Sequence, residues 1–159
     1  MAALNLNGAT LSAQSTLAAQ TDVAVLIPCL NESETISKVV EDFREALPHA
    51  RIYVYDNNST DDTLYIAQRA GAIVGSERYQ GKGHVVRRMF ADIDAGAYVL
   101  VDGDDTYHAP SVTDMLNLLL NQQLDMVVAA RQHSQASAVQ PTVRSGPIRS
   151  GPESGPGGI

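Results

Sequence analysis

Residues 22–47 read DVAVLIPCLNESETISKVVEDFREAL. The first seven residues, Asp22–Pro28, are almost continuously apolar, as expected of a strand covered on both faces. A polar cluster follows, and then the period changes. Ile36, Val39, Val40, Phe43 and Leu47 fall on one helical stripe, and Pro48 ends it. Asn31 and Glu34 stand at N-cap and N3 spacing, a variant capping box that predicts a helix beginning near Asn31. A buried strand feeding an amphipathic helix is the opening of a parallel α/β unit.

The same alternation runs on. Arg51–Asp56 (RIYVYD) is a second strand, and Asn57–Asp61 (NNSTD) has turn chemistry. A short helix is expected from Asp62 to Ala70, with Gly71 as its C′ residue. Ala72–Gly75 reads as a short third strand. The loop Gln80–Gly83 opens a helix through Asp94, with Val85, Val86, Met89 and Phe90 inward. Ala97–Val101 is a fourth strand. Pro110 and Ser111 start a helix with Val112, Met115, Leu116 and Leu119 as its stripe. Leu124–Ala130 (LDMVVAA) is expected as a last buried strand. The fold class is α/β: a mostly parallel sheet with helices on both faces, whose ligands gather at the carboxyl ends of strands.

Composition sets limits. The chain has 159 residues, 44% of them hydrophobic, and a net charge of -7. That charge argues against nucleic acid as a partner, because phosphate backbones need a basic face. One cysteine excludes an internal disulfide and fits a reducing compartment. No apolar run approaches the roughly 20 residues of a membrane span. Residues 1–20 read as a flexible leader without signal-peptide features, and 21–131 as the folded domain. In 132–159, Gln, Ser, Gly and Pro make up 17 of 28 residues. That tail is expected to be disordered, and the abrupt switch reads as a domain cut off partway with unrelated sequence appended.

The fourth strand ends in an acidic cluster: Asp102, Asp104 and Asp105 in VLVDGDDTYHAP. Close carboxylates repel one another, so something must make the cluster tolerable. Asp102 and Asp104 are hard oxygen ligands two residues apart, suited to Mg²⁺ or Mn²⁺ bridging to phosphates. The segment also fits D-x-D-x-T, the pattern of aspartyl phosphatases, although here three strands precede it and no lysine follows Lys82. A solvated loop is the third reading. An EF-hand is excluded, because Tyr107 and Thr113 stand where glycine and glutamate are needed. PCLNES after the first strand is not the glycine pattern of a dinucleotide fold. Lys82, between two glycines, either approaches a phosphate or is a solvated loop lysine. Cys29 is read as core, and His84 and His108 are assigned no role.

Four stretches, VLIPCLNESETI, YVYDNNSTDDT, YQGKGHVVRRMF and VLVDGDDTYHAP, occur in an order and spacing that resemble family 2 glycosyltransferases. The likeness covers residues 22–131 and is greatest to polyprenyl-phosphate sugar transferases. It implies the nucleotide-binding half of a GT-A domain (a Rossmann-like sheet). It implies a UDP- or GDP-sugar donor, Mg²⁺ or Mn²⁺, and a lipid-phosphate acceptor at the inner, cytoplasmic face of a membrane. By the same resemblance Pro28, Leu30 and Glu32 contact the nucleoside, and Asp56 takes a donor edge of the base. Asp102, Gly103 and Asp104 form the D-x-D motif; Asp102 faces ribose and metal, and Asp104 binds the metal. Thr106 falls where a further metal contact can occur. Arg131 lies near the phosphates. A phosphate acceptor needs no general base, and the sequence offers none beyond Arg131. With the acceptor half absent from the pattern, a nucleotide-binding chain with weak or no turnover is the alternative, and the D-x-D-x-T phosphatase a further one.

Overall fold

The computed structural model describes residues 21–130. The leader 1–20, Arg131 and the tail 132–159 lie outside the described residues. Among the described residues the chain runs β1 (Val23–Cys29), α1 (Ile36–Ala46), β2 (Arg51–Asp56), α2 (Thr63–Arg69), β3 (Ile73–Ser76), α3 (Lys82–Asp92), β4 (Ala97–Leu100) and α4 (Ser111–Asn121). The four strands form one parallel sheet in the order β3-β2-β1-β4.

All seven residues of β1 are buried, because its two faces meet different layers. Val23, Val25, Ile27 and Cys29 join Ile36, Val39, Val40 and Phe43 of α1, Ala67 of α2, and Val112 and Leu116 of α4. Ala24 and Leu26 face Val85 and Met89 of α3, with Tyr53 and Tyr55 of β2 beside them. Helices thus cover both faces, as the continuous apolar run requires. The α1 stripe buries Ile36, Val39, Val40 and Phe43, each burial contributing about 2 kcal/mol before chain entropy is counted.

Connections are fixed by local chemistry. Gly71 takes φ 87° just past α2, a conformation open to glycine. Arg44 of α1 reaches across and donates to the Ala70 carbonyl at 2.6 Å, closing the end of α2. Gly75 in β3 has another purpose: a Cβ there would stand 2.6 Å from the Tyr55 ring.

Three expectations fail. The capping box at Asn31 and Glu34 does not form. Asn31 adopts φ 55°, and its side-chain oxygen accepts the Thr60 N–H at 2.8 Å. A turn follows, in which the Glu32 carbonyl accepts from Thr35 and Ile36 at 3.1 and 2.9 Å. α1 therefore starts at Ile36. Phe90 was expected inward but is 48% exposed. α3 packs over β1 and β2 through Val85 and Met89, so Phe90 overhangs the sheet margin and meets Tyr98 edge-on at 5.0 Å. The last strand expected at Leu124–Ala130 is reduced to a single bridge residue, Val128. Leu124 donates to Leu119 to close α4, and beyond it Met126 and Val128 are 61% and 52% exposed. That apolar run finds no layer to cover it, so the burial that would hold it in the sheet is lacking. Among the described residues no helix is long and apolar enough to cross a membrane.

Gly75→Ala is expected to lower stability by about 1–3 kcal/mol through the clash with the Tyr55 ring. The measurement is the urea midpoint; an unchanged midpoint would show that β3 shifts at no cost.

Candidate functional site: an acidic corner at the strand ends

Parallel pairing places the carboxyl ends of β1, β2 and β4 side by side. Cys29 pairs in register with Asp56, and Leu26 with Leu100. Pro28, Leu30, Glu32, Asp56 and Asp102–Asp104 therefore emerge at one end of the sheet. Pro28 is buried in β1 and Leu30, just beyond it, is exposed.

The loops leaving β1 and β2 are laced together. Asn31 N–H donates to Ser59 Oγ at 2.8 Å and Glu32 N–H to Thr63 Oγ1 at 2.8 Å. Ser33 N–H donates to Asp61 Oδ2 at 3.2 Å. The Thr63 hydroxyl, with help from Ser33, holds the Asp61 carboxyl down at about 2. Thr63 is fully buried; it fixes the backbone of Glu32 from the start of α2. Thr35 ties the same loop to the acidic one, donating to the Gly103 carbonyl at 2.6 Å.

These ties press Glu32 against Gly103. A Cβ on Gly103 would stand 1.9 Å from Glu32 Oε2, so this position between the two aspartates tolerates only glycine without rearrangement. That same Oε2 is buried and has no hydrogen-bond partner. Burial, then repulsion from Asp104 and Asp102, pushes the Glu32 carboxyl up to about 7, against the pull of Lys82. Asp102 is bracketed: Lys82 Nζ pairs with its Oδ1, and the Tyr107 hydroxyl donates to Oδ2 at 3.4 Å. Asp104 accepts from the Thr106 hydroxyl at 2.6 Å and its N–H at 3.2 Å. Asp105, at φ 56°, turns away to Lys38 at 2.8 Å, which also pairs with Asp42 at 2.7 Å.

The other site residues are placed less closely. Asp56 is 8% exposed and accepts the Ser59 N–H at 3.0 Å, so it serves as a turn cap in this state. Arg131 lies outside the described residues. Cys29 is buried, donates to the Tyr55 carbonyl at 3.5 Å and has its thiol pushed up to about 12 by burial and then by Asp56; it is core, as its sequence context suggested. An open cleft of about 730 Å³ beside α1, lined by Lys38, Asp42, Asp105 and His108, excludes Glu32, Asp102 and Asp104. The chemistry converges elsewhere.

Asn57 was invisible as a site residue in sequence. It is buried and donates to the carbonyls of Glu77 and Tyr79, both at 2.8 Å, while accepting the Gly81 N–H at 2.6 Å. It thereby sets the loop that delivers Lys82. The NNST turn signal marks a turn and nothing about a partner 20 residues away.

Among the described residues no three His, Cys, Asp or Glu side chains form a ready-made metal cage. The residues present nevertheless fit a hard divalent ion. Mg²⁺ commonly takes one or two carboxylates and fills its other positions with phosphate and water. Asp102 and Asp104 supply such oxygens, and the partnerless Glu32 Oε2 marks negative charge awaiting compensation.

Because the folded chain raises the Glu32 pKa, the stability tied to its proton is present below about 4.5 and is lost as pH rises through about 7. Glu32→Gln is therefore expected to match the parent at pH 4.5. At pH 8 it should be more stable by about 1–2 kcal/mol, roughly half the unscreened value because the residue is partly exposed. Urea unfolding at both pH values checks this; equal midpoints at pH 8 would refute it.

Comparison with known proteins identifies the family and the fold. The chain is 56% identical over 113 residues to Protein RfbJ of Shigella flexneri, covering 71% of this chain and 88% of that protein. It is 41% identical over 110 residues to Glycosyltransferase AglJ of Haloferax volcanii, covering 69% of this chain but 36% of AglJ. The structure superposes on glucosyl-3-phosphoglycerate synthase from Mycobacterium tuberculosis in complex with Mg²⁺ and uridine diphosphate, with a TM-score of 0.60 and 27% identity, covering 69% of this chain and 43% of that one. The chain thus spans less than half the length of the latter two. The pattern of the family described as Glycosyl transferase family 2 matches residues 24–154, and with its parallel α/β sheet the chain belongs to that family and carries its GT-A fold.

Proposed function

We propose that this chain is the donor-binding part of a transferase that takes a UDP- or GDP-sugar with Mg²⁺ or Mn²⁺ and passes the sugar to a polyprenyl phosphate. The observation that carries the reading is the convergence of Glu32, Asp102 and Asp104, with one buried carboxylate oxygen left without a partner. The uridine diphosphate in the M. tuberculosis complex supports uracil as the base.

In this reading Asp102 and Asp104 hold the divalent ion. Bound there, it neutralises charge gathering on the departing nucleoside diphosphate. Pro28 and Leu30 form the apolar wall for the base. Glu32 accepts from base or ribose, and Asp56 meets a donor edge of the base after releasing Ser59. Arg131 approaches the phosphates. A phosphate acceptor is already an anionic nucleophile, so no general base is required of the chain. Such an acceptor would hold the protein at the cytoplasmic surface of a membrane, with nucleic acid no part of its chemistry.

Donor binding without transfer is the second reading. It is favoured by the exposed apolar side chains of Phe90 and Tyr98, which meet each other, and of Leu100, Met126 and Val128. The D-x-D-x-T phosphatase has no comparable support beside the family match.

Calorimetry with UDP and GDP, each with and without Mn²⁺, tests the main reading. Binding should require the metal, and Asp104→Ala should weaken it at least about tenfold. Metal-independent binding, or full affinity in the variant, would overturn it. Sugar transfer to polyprenyl phosphate in vesicles separates the two readings.

A further inference from the structure

Lys82 is placed with more care than a solvated loop lysine requires. Asn57 grips the 77–81 segment through three hydrogen bonds, and Asn58 adds one to the Arg78 carbonyl at 3.0 Å. Gly81, at φ 125°, then turns the chain into α3. Val85 and Met89, fully buried one and two turns on, anchor that helix against the sheet. The first residue of α3 is thereby carried across to the end of β4, where its ammonium pairs with Asp102 Oδ1.

That contact occupies the oxygen a metal would need. With Tyr107 on Oδ2, both oxygens of Asp102 are engaged. Of the neighbouring acidic groups, Asp104 accepts from Thr106 and Asp105 is held by Lys38, while Glu32 feels Lys82 only through space. Lys82 thus offsets charge at the one carboxylate that also faces Asp104 and Glu32 across Gly103.

We propose that Lys82 is a resident counter-ion of the D-x-D corner: it occupies the cation position on Asp102 in the metal-free chain and is displaced when a divalent ion binds. An exposed lysine–carboxylate pair is weak, and a dication facing two carboxylates outbids it. The pair is therefore strong enough to hold the corner together and weak enough to yield. Metal binding becomes an exchange of one cation for another, and the lysine lowers the corner's apparent affinity for the ion. This inference rests on the metal-binding reading above and adds a competitor to it.

The test needs no turnover. Mn²⁺ alone, without nucleotide, is titrated into the full chain and into Lys82→Met and Lys82→Arg by calorimetry. Lys82→Met should bind Mn²⁺ about two- to fivefold more tightly, and Lys82→Arg should stay near the parent. A second measurement uses the parent chain itself. Its only lysines are Lys38 and Lys82, so reductive ¹³C-methylation gives two side-chain NMR signals besides the amino terminus. On Mg²⁺ addition the Lys82 signal should move with the calorimetric midpoint while Lys38 stays. Unchanged or weaker Mn²⁺ binding in Lys82→Met, or a Lys82 signal that ignores Mg²⁺, would overturn the proposal and leave the metal site standing. If the parent chain binds no metal with or without nucleotide, the functional reading itself falls and takes this one with it.

Discussion

The burial of β1 on both faces, between two parallel neighbours, is the constraint on which the molecule depends. A strand so enclosed presents alternate side chains to two different layers, so α1 and α4 must lie on one side and α3 on the other. Parallel pairing then fixes where the chain leaves each strand. The residues after β1, β2 and β4 are brought within reach of one another although they are separated by up to 70 positions. The site follows from this topology, since no loop of the chain contains it alone.

Electrostatic crowding at that end of the sheet is handled by assigning each carboxylate a different partner. Asp61 is settled by hydroxyl and backbone donors, Asp105 by Lys38, Asp104 by Thr106 and Asp102 by Lys82. Among the described residues, Glu32 is the carboxylate with a buried oxygen that lacks a hydrogen-bond partner. The close fit of Gly103 against that carboxylate is why it cannot simply retreat: Thr63 holds its backbone from below and Gly103 stands where a side chain would push it out.

Much of this was legible in the residues themselves. Arg51–Asp56 was read as a strand with the bounds the structure gives, because RIYVYD is bounded by turn chemistry and its apolar run admits little else. The place of Asp102, Gly103 and Asp104 just after the fourth strand is equally readable. What local pattern hid was tertiary. Asn31 looks like a helix cap, yet Ser59 and Thr60 compete for it from a loop 28 residues on. Leu124–Ala130 has strand composition, but burial comes from neighbours and not from composition. Phe90 lies on the apolar stripe of its helix while the helix is set over β1 and β2, so periodicity alone cannot tell a core residue from one overhanging the margin. Asn57 reads as a turn former and Thr63 as an ordinary first-turn helix residue, because their partners lie far away in sequence.

The lone thiol at the end of β1 gives the molecule a built-in clock. Cys29 sits inside the sheet with its reactive thiolate form banished to strongly alkaline solution. An alkylating reagent can reach it only in molecules where the layer of α1 and α2 over the end of β1 has momentarily opened. The rate at which label accumulates at neutral pH therefore counts those openings. Any ligand that steadies the strand ends will slow that count in proportion to its grip, whatever its own chemistry.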